Sequence, residues 1–385
     1  MITRNVLLLT GSIAIIGANS LVLSPIAASV AKSFIDTEAA NVMAASAVYG
    51  LATAASALTL ASMADRIGAE HALLNALLIL IVAMTGAALS PALLWLCLAQ
   101  ALAGLAAGIA LPAIYTLAAQ VAEKGRESET LGVVLTGWTL SLVAGVSLSA
   151  VLADILHWRA VFSILAMASA ALAVAIARSR NWGTGTNAAI STSPFTALRV
   201  PGIVPALLNV ASYMTAFYGL YSYLGPHLGI ALQLPATFAG LATFAYGVGF
   251  GVAAPLGRLV DRYGTLTAAS TAFASLALVY LGLAAASSHV FILLVGCVAW
   301  GLANHVGLNL LVRRLTELDP SQRGAIMGLY SAITYLCVFI GALAYRPVFE
   351  RFGFVACALL SAACVVPALI GSFRRSLPGF AREEG

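Results

Sequence analysis

The chain has 385 residues, of which 61% are hydrophobic and only 9% are charged, with a formal net charge of +5. A water-soluble fold of this composition would expose large apolar surfaces, so the balance indicates a protein that lies in a lipid bilayer. The five cysteines all fall inside apolar runs, which argues against a disulfide framework. The basic residues are scattered over short loops and form no nucleic-acid-binding stripe.

The first half of the chain contains six apolar runs that are long enough to cross the hydrocarbon core as helices. They cover residues 6–30, 42–63, 72–89, 92–117, 131–153 and 158–177. Long unbroken runs, unlike alternating ones, predict helices and not a barrel. The first run exceeds the core of a signal peptide, so we interpret it as a span. The alternative is a cleaved leader, because Ala27, Ala28 and Ser29 suit a processing site.

A polar stretch rich in Asn, Gly, Thr and Ser separates these runs from six more. The later runs cover residues 203–227, 236–256, 266–286, 290–312, 325–345 and 354–371. The sequence therefore predicts an all-α membrane protein, with twelve transmembrane helices in two pseudo-symmetric six-helix halves. Its predicted parts are an N-terminal half (1–177), a cytoplasmic linker (178–202), and a C-terminal half with a short tail (203–385).

The predicted loops fall into two sets that differ in charge. One set holds only Lys32, Arg159, Arg346 and Arg351, and all the other basic residues lie at the opposite set of helix ends. Since Lys and Arg concentrate on the cytoplasmic side of membrane proteins, this asymmetry places both termini and the linker in the cytoplasm. The Ala-rich composition and short loops favour a bacterial inner (cytoplasmic) membrane.

One loop motif occurs in both halves. The sequence Ala61-Ser-Met-Ala-Asp65-Arg66-Ile-Gly68 follows the second run, and Gly257-Arg-Leu-Val-Asp261-Arg262-Tyr-Gly264 follows the eighth. Here the chain resembles the major facilitator superfamily, whose signature after the second span is GxxxDRxG. Within that superfamily it resembles the bacterial drug and sugar efflux branch. The resemblance extends to Gly104, Gly108, Gly137, Gly145, the 157–162 segment and the tyrosine-rich 218–226 segment.

The resemblance implies that these two loops form a conformational latch, which holds the cytoplasmic side closed until the halves rock apart. Its residues would be Asp65, Arg66, Gly68, Gly257, Asp261, Arg262 and Gly264. A glycine allows a tight turn, and an Asp carboxylate can face a helix N-terminus or a basic side chain. The alternative is that these charges only anchor helix ends at the membrane surface.

The chain also departs from the family pattern. Ala61 replaces the first glycine of the earlier motif, and Glu70 and His71 replace its basic pair. Gln100 stands where drug and proton antiporters carry an arginine, and Val146 replaces the proline of the fifth-span motif. These differences argue against the usual form of proton-driven drug antiport.

Superfamily members line their central cavity mainly from spans 1, 4, 7 and 10, and this chain has few polar side chains at midplane depth there. The candidates for a substrate cavity are Asn19, Gln100, Asn209, Tyr213, Phe217, Asn304, His305 and Asn309. An Asn or Gln can instead bond a neighbouring helix without touching a solute. His305 is the proton-coupling candidate, because ionisable groups at this depth are costly; a packing histidine is the alternative.

The charged residues limit the cargo. No acidic or basic residue lies at the centre of a predicted span, so a neutral or weakly charged solute is favoured: a sugar, nucleoside, alcohol or uncharged amphiphile. The aromatic residues from 213 to 223 offer stacking surfaces, although Tyr221 and Tyr223 also suit an interfacial belt. Asp154 and Arg159 flank a short turn and suit a structural pair.

We therefore predict a secondary active transporter that works by alternating access, in the direction of efflux. Its expected partners are a small-molecule solute, protons and the lipid bilayer; it is expected to act as a monomer without nucleic acid, cofactor or metal. The alternatives are a facilitator or uniporter, an importer without proton coupling, a polytopic membrane enzyme and a transporter-like sensor. The enzyme is not favoured because His-Glu-x-x-His, paired intramembrane aspartates and a phosphate-binding loop are missing from the sequence, which offers no catalytic residue.

Overall fold

The computed structural model describes residues 3–60, 67–123, 126–179, 182, 194–253, 265–319 and 322–376. Every regular element in these ranges is helical. Nine of the described helices are long and apolar enough to cross a membrane, and one of them, Ala325–Ile370, has the length of two spans. Ala236–Val252 and Ser270–Ala285 are shorter apolar helices. Together they give twelve spans, which confirms the predicted all-α membrane fold.

Spans 1 to 6 lie in the first half of the chain. Their helices are Arg4–Leu21 and Leu23–Ala31 (span 1), Ala39–Thr59 (span 2), Ala69–Ala88 (span 3), Leu93–Val121 (span 4), Glu127–Leu140 with Ser141–Val146 and Ser147–Ile155 (span 5), and Trp158–Ala177 (span 6). Ser141–Val146 is a π-helical turn, a rare feature that often accompanies function. It includes Gly145 and Val146, where the sequence departs from the family pattern.

Spans 7 to 12 follow a short 3₁₀ helix, Pro194–Arg199. They are Ile203–Pro226 with His227–Ala231 (span 7), Ala236–Val252 (span 8), Thr265–Ala285 (span 9), Val290–Leu318 (span 10), and Arg323–Ser376, which contains spans 11 and 12. The sequence predicts that span 11 ends at Tyr345. That boundary is wrong, because the chain leaves helical geometry only at Gly353, whose φ of +73° is tolerated without a Cβ.

The bundle has two ends. Ser179 Oγ donates to Asn5 Oδ1 at 2.5 Å, so the end of span 6 lies beside the start of span 1. We call this the linker end, and we call the opposite end, with the short connections 32–38, 156–157 and 232–235, the turn end. Gly68 precedes span 3 with a φ of +86°, as a tight glycine turn requires. The rest of the predicted latch, Asp65, Arg66, Gly257, Asp261, Arg262 and Gly264, lies outside the described residues.

Glycines let neighbouring spans approach closely within the first half. A Cβ on Gly104 in span 4 would overlap the Tyr49 carbonyl oxygen of span 2, and a Cβ on Gly137 in span 5 would overlap the Thr10 carbonyl oxygen of span 1. Such close approaches are how apolar helices gain packing energy in lipid, where helix association has little hydrophobic driving force. The glycines on which the family resemblance rests therefore lie at helix–helix contacts.

Side chains of Asp154 and Arg346 join the halves at the turn end. Asp154, at the end of span 5, accepts hydrogen bonds from the backbone N–H groups of Ala236 (3.0 Å) and Thr237 (2.6 Å) at the start of span 8. Thr237 Oγ1 donates to the same carboxylate at 2.6 Å. Asp154 thus caps a helix of the other half. Arg346 in span 11 donates to Asn41 Oδ1 in span 2 at 2.5 Å.

The predicted pairing of Asp154 with Arg159 is wrong. Arg159 donates instead to the Ser90 carbonyl oxygen at 2.9 Å, and its guanidinium lies over the Trp158 ring, 4.5 Å from the centroid. The reason is that span 6 starts immediately after the turn and directs Arg159 toward the connection between spans 3 and 4, while the exposed N-terminus of span 8 offers Asp154 unpaired N–H groups.

Candidate functional site

Two of the predicted cavity residues form a reciprocal amide pair between spans 1 and 4. Asn19 Nδ2 donates to Gln100 Oε1 at 3.1 Å, and Gln100 Nε2 donates to Asn19 Oδ1 at 3.2 Å. Both side chains are buried, with exposed fractions of 2% and 0%. Each amide satisfies the other, which lowers the cost of burying them away from water. The pair links two helices of the first half.

A second polar group joins spans 7, 8 and 10. The Tyr213 hydroxyl donates to the backbone carbonyl oxygen of Asn304 at 2.5 Å, and the side-chain Nδ2 of Asn304 donates to the Tyr246 hydroxyl at 2.6 Å. Tyr213, Tyr246 and Asn304 are all buried. The Asn304 Oδ1 is buried without a hydrogen-bond partner among the described residues, so this carboxamide retains one free acceptor.

An aromatic cluster surrounds Phe217. Its ring centroid lies 5.6 Å from that of Tyr221, 5.4 Å from that of Tyr246 and 5.4 Å from that of Trp300. Tyr218 approaches it edge-on at 4.9 Å. Phe217, Tyr221, Tyr246 and Trp300 are buried, so these rings pack into one cluster, which we call the aromatic wall.

Tyr246 and Trp300 belong to this wall, although the sequence did not identify them as cavity residues. A signal was present for Trp300, because it precedes Asn304 by four residues and so shares its helical face. Tyr246 offers a weaker signal: Phe250 lies four residues after it, and the two rings stack at 6.1 Å. Trp300 does not differ in polarity from its apolar run, and Tyr246 lies in span 8, outside the four spans that the resemblance implies for the cavity.

His305 lies beside the cluster and not within it. Its ring packs against Phe250 edge-on, with centroids 4.6 Å apart, and the side chain is half-buried. His305 Nδ1 is buried without a hydrogen-bond partner among the described residues.

Of the other predicted cavity residues, Asn209 is half-buried and Asn309 is exposed, one turn closer than His305 to the linker end. The structure thus groups Asn19 with Gln100, and Tyr213 and Phe217 with Asn304 through Tyr246.

Spans 1 and 7 close the turn-end side of this region. Ser24 Oγ donates to the Tyr221 carbonyl oxygen at 2.6 Å, and the Tyr221 hydroxyl donates to the Leu21 carbonyl oxygen at 3.2 Å. Tyr221 and Tyr223 are both buried, at 3% and 0% exposure. Their interpretation as an interfacial belt is therefore wrong: both side chains face protein, and the Tyr223 hydroxyl donates to the Ala342 carbonyl oxygen of span 11.

A cavity lies against this closure, between the two halves. Its volume is about 10 Å³, which is room for about one water molecule and far less than a site for a whole small molecule needs. Spans 1 and 2 contribute Ser20, Leu21, Ser24, Met43 and Ser46, and spans 7 and 11 contribute Tyr218, Tyr221, Ser222 and Val338. The cavity therefore touches two spans, 2 and 11, outside the set expected from the resemblance.

The buried polar side chains are uncharged. In the part of the chain that the structure describes, the buried polar residues are serines, threonines, Asn19, Gln100, Asn304 and His227, besides the tyrosines, with no Asp, Glu, Lys or Arg among them. The residues that the structure describes contain no group of three His, Cys, Asp or Glu side chains able to hold a metal, and the five cysteines are all free thiols. The interior can thus offer hydroxyls, amides and aromatic faces to a solute.

Comparison with known proteins gives matches over nearly the whole chain. The model of the Major Facilitator Superfamily matches residues 8–342. The uncharacterized MFS-type transporter YwfA of Bacillus subtilis is 30% identical over 368 residues, covering 94% of this chain and 89% of that protein. A probable sugar efflux transporter of Pasteurella multocida is 24% identical over 242 residues, covering 62% of this chain and 59% of that protein.

Two solved structures share the fold. A D-xylose–proton symporter superposes with a TM-score of 0.79 at 14% identity, covering 96% of each chain. The human organic anion transporter MFSD10 superposes with a TM-score of 0.71 at 17% identity, covering 95% of this chain and 98% of that one. The shared fold supports the arrangement of the twelve spans in two six-helix halves.

Proposed function

Because the chain belongs to the major facilitator superfamily, a family of membrane transporters and not of enzymes, we propose that it moves a small neutral or weakly charged solute across the membrane by alternating access. The solute would bind between the halves, close to the amide pair of the first half and to the Asn304 group and the aromatic cluster of the second. Rocking of one half against the other would then expose this region to each side of the membrane in turn.

The observation that supports a neutral cargo is the absence of charge from the buried residues that the structure describes. A cationic solute leaving water would require a carboxylate, and a dianion would require Arg or Lys, since an unpaired charge in a low-dielectric interior is costly. Hydroxyls and carboxamides both donate and accept hydrogen bonds, so they can replace the water around an uncharged polar solute.

Efflux is the proposed direction. The support is the name of the Pasteurella multocida relative, a probable sugar efflux transporter, together with the resemblance of the 218–226 segment to the efflux branch. The alternatives are a facilitator and an importer. The protein is proposed to act as a monomer in a bacterial inner membrane. Its linker end is proposed to be cytoplasmic, because the basic residues concentrate at that end.

His305 is the proposed proton-coupling residue. Its support is a half-buried position in span 10, contact with the Phe250 ring, and an Nδ1 without a partner among the described residues.

The predicted latch of Asp65, Arg66, Asp261 and Arg262 would hold the linker end closed. Asp65→Asn and Asp261→Asn would then increase cysteine labelling of residues near that end, and unchanged labelling would contradict the latch.

Flux through purified protein in liposomes tests the proposed function. We expect vesicles that contain the protein to exchange an uncharged solute from a panel of sugars, nucleosides and sugar alcohols faster than empty vesicles do. Protein-dependent flux of organic cations alone would contradict the neutral cargo. Binding of a solute without any flux would indicate a transporter-like sensor.

A further inference from the structure

Six of the nine residues that line the cavity between spans 1, 2, 7 and 11 carry a hydroxyl group, although most of the surface that faces the cavity is apolar. Ser20, Ser24 and Ser46 come from the first half, and Tyr218, Tyr221 and Ser222 come from the second. A group that binds here touches both halves at once, so its binding depends on how the halves are arranged. We call this space the serine cavity.

Ser20 differs from the other serines of the serine cavity, because its hydroxyl oxygen is fully buried and has no partner among the described residues. Ser24 Oγ and the Tyr221 hydroxyl are committed to the carbonyl oxygens of Tyr221 and Leu21, respectively. Ser20 Oγ, in contrast, is buried without a hydrogen-bond partner among the described residues, and the residue is only 5% exposed. A buried hydroxyl without a partner costs free energy, so a ligand that pairs with Ser20 recovers that loss on binding.

The serine cavity adjoins the aromatic cluster. Tyr218 and Tyr221 line the cavity, and both rings contact Phe217, with centroid distances of 4.9 and 5.6 Å. A solute ring that lies on the aromatic wall would therefore have a substituent within reach of the serine hydroxyls. Because the cavity has a volume of only about 10 Å³, it has room for a group the size of a hydroxyl and not for the whole solute.

We propose that the serine cavity is a subsite for a hydroxyl group of a neutral, ring-containing solute, and that Ser20 and Ser222 determine this specificity. A serine hydroxyl both donates and accepts, so it complements a solute hydroxyl in either orientation and cannot neutralise a charged group. The inference rests on the proposed function: it names the part of the transport site that distinguishes a hydroxylated solute from its deoxy analogue.

Deoxy analogues test the subsite directly. The probes are D-glucose, D-galactose and D-xylose, each compared with its monodeoxy analogues, in thermal stabilisation of the purified protein and in liposome exchange. We expect at least one deoxy analogue to bind the unaltered protein about fivefold more weakly than its parent, the effect of one lost hydrogen bond. Ser20→Ala and Ser222→Ala should reduce that ratio to about one, as in a double-mutant cycle.

Ser12→Ala is the matched control. Ser12 lies in span 1 and is also buried, but its hydroxyl donates within its own helix to the Leu8 carbonyl oxygen at 2.9 Å. This variant should retain the fivefold ratio, and it also shows whether loss of a buried serine alone disturbs folding. If both cavity variants keep the ratio of the unaltered protein, the subsite is overturned.

The outcomes also separate the subsite from the proposed function. If the protein exchanges parent sugars and all their deoxy analogues equally well, the proposed function stands and the subsite fails. If the protein neither binds nor exchanges any parent sugar but exchanges other neutral solutes, the subsite also fails alone. If no neutral solute of the wider panel is exchanged, the proposed function and the subsite fail together.

Discussion

The Tyr221 hydroxyl of span 7 donates to the Leu21 carbonyl oxygen of span 1 at 3.2 Å. Leu21 lies four residues before Pro25, and proline has no N–H to offer that carbonyl. The chain breaks its first span at this point, between Leu21 and Leu23. A side chain from the other half therefore supplies the hydrogen bond that the helix lacks, and the break in span 1 becomes part of the contact between the halves.

Removal of the Tyr221 hydroxyl should weaken this contact. We expect Tyr221→Phe to lower the free energy of unfolding by about 1 kcal/mol, because the Leu21 carbonyl oxygen is left buried and unpaired. In a Pro25→Ala background the alanine N–H can bond that carbonyl, so the same tyrosine substitution should cost less. Denaturation of the four proteins in detergent measures the difference. Equal costs in the two backgrounds would show that Pro25 does not create the need for the Tyr221 hydroxyl.

Gly225 permits the closest backbone approach between spans 1 and 7. A Cβ at this position would overlap the Ser24 carbonyl oxygen, which cannot move away without displacing the helix. We expect Gly225→Ala to separate the spans at the turn end and to increase cysteine labelling of positions that line the serine cavity. Gly282→Ala in span 9 is the control, because no atom lies within 4 Å of the added Cβ there. The prediction fails if the two alanine variants label alike.

The twelve spans were predictable because an apolar run of sufficient length has few other stable structures in lipid. Asn19, Gln100 and Asn304 were predictable as interior groups, since a carboxamide stands out within such a run. Trp300 was not identified, because a tryptophan in an apolar run packs equally well against lipid or protein. Tyr246 was not identified, because span 8 is not among the spans that the family resemblance implies for the cavity. The partner of Asp154 was not predictable either: Thr237 lies in the other half, and only the folded arrangement brings the two together.

The Asn19–Gln100 pair should show strong non-additivity. We expect Asn19→Leu or Gln100→Leu alone to destabilise the protein by about 1 kcal/mol or more, because each leaves one buried carboxamide unpaired. The double substitution should cost less than the sum of the single ones, since it removes both polar groups together. Thermal unfolding in detergent measures the three variants. Additive costs would indicate that the two amides are satisfied independently of each other.

Asp154 should stabilise the closed turn end by capping span 8. We expect Asp154→Ala to reduce stability by about 1 kcal/mol, the usual effect of losing a helix cap, and to increase labelling of cysteines placed at the turn end. Asp154→Asn retains an acceptor oxygen and should have a smaller effect. Glu38→Ala is the control, because Glu38 is an exposed acidic residue before span 2 whose side chain makes no capping hydrogen bond. Equal labelling of the Asp154→Ala and Glu38→Ala variants would mean that the cap does not hold the halves together.

His305 should couple solute movement to protons. We expect His305→Ala to abolish solute accumulation driven by an imposed pH gradient, while exchange of solute without a gradient continues, because the substitution removes the proton-binding group and leaves the aromatic wall in place. His289→Ala is the matched control, since His289 is exposed at the turn end. Unchanged gradient-driven accumulation in His305→Ala would exclude His305 as the coupling residue. If the unaltered protein does not respond to the gradient, it is a facilitator, and the unpaired His305 Nδ1 serves packing or solute binding instead.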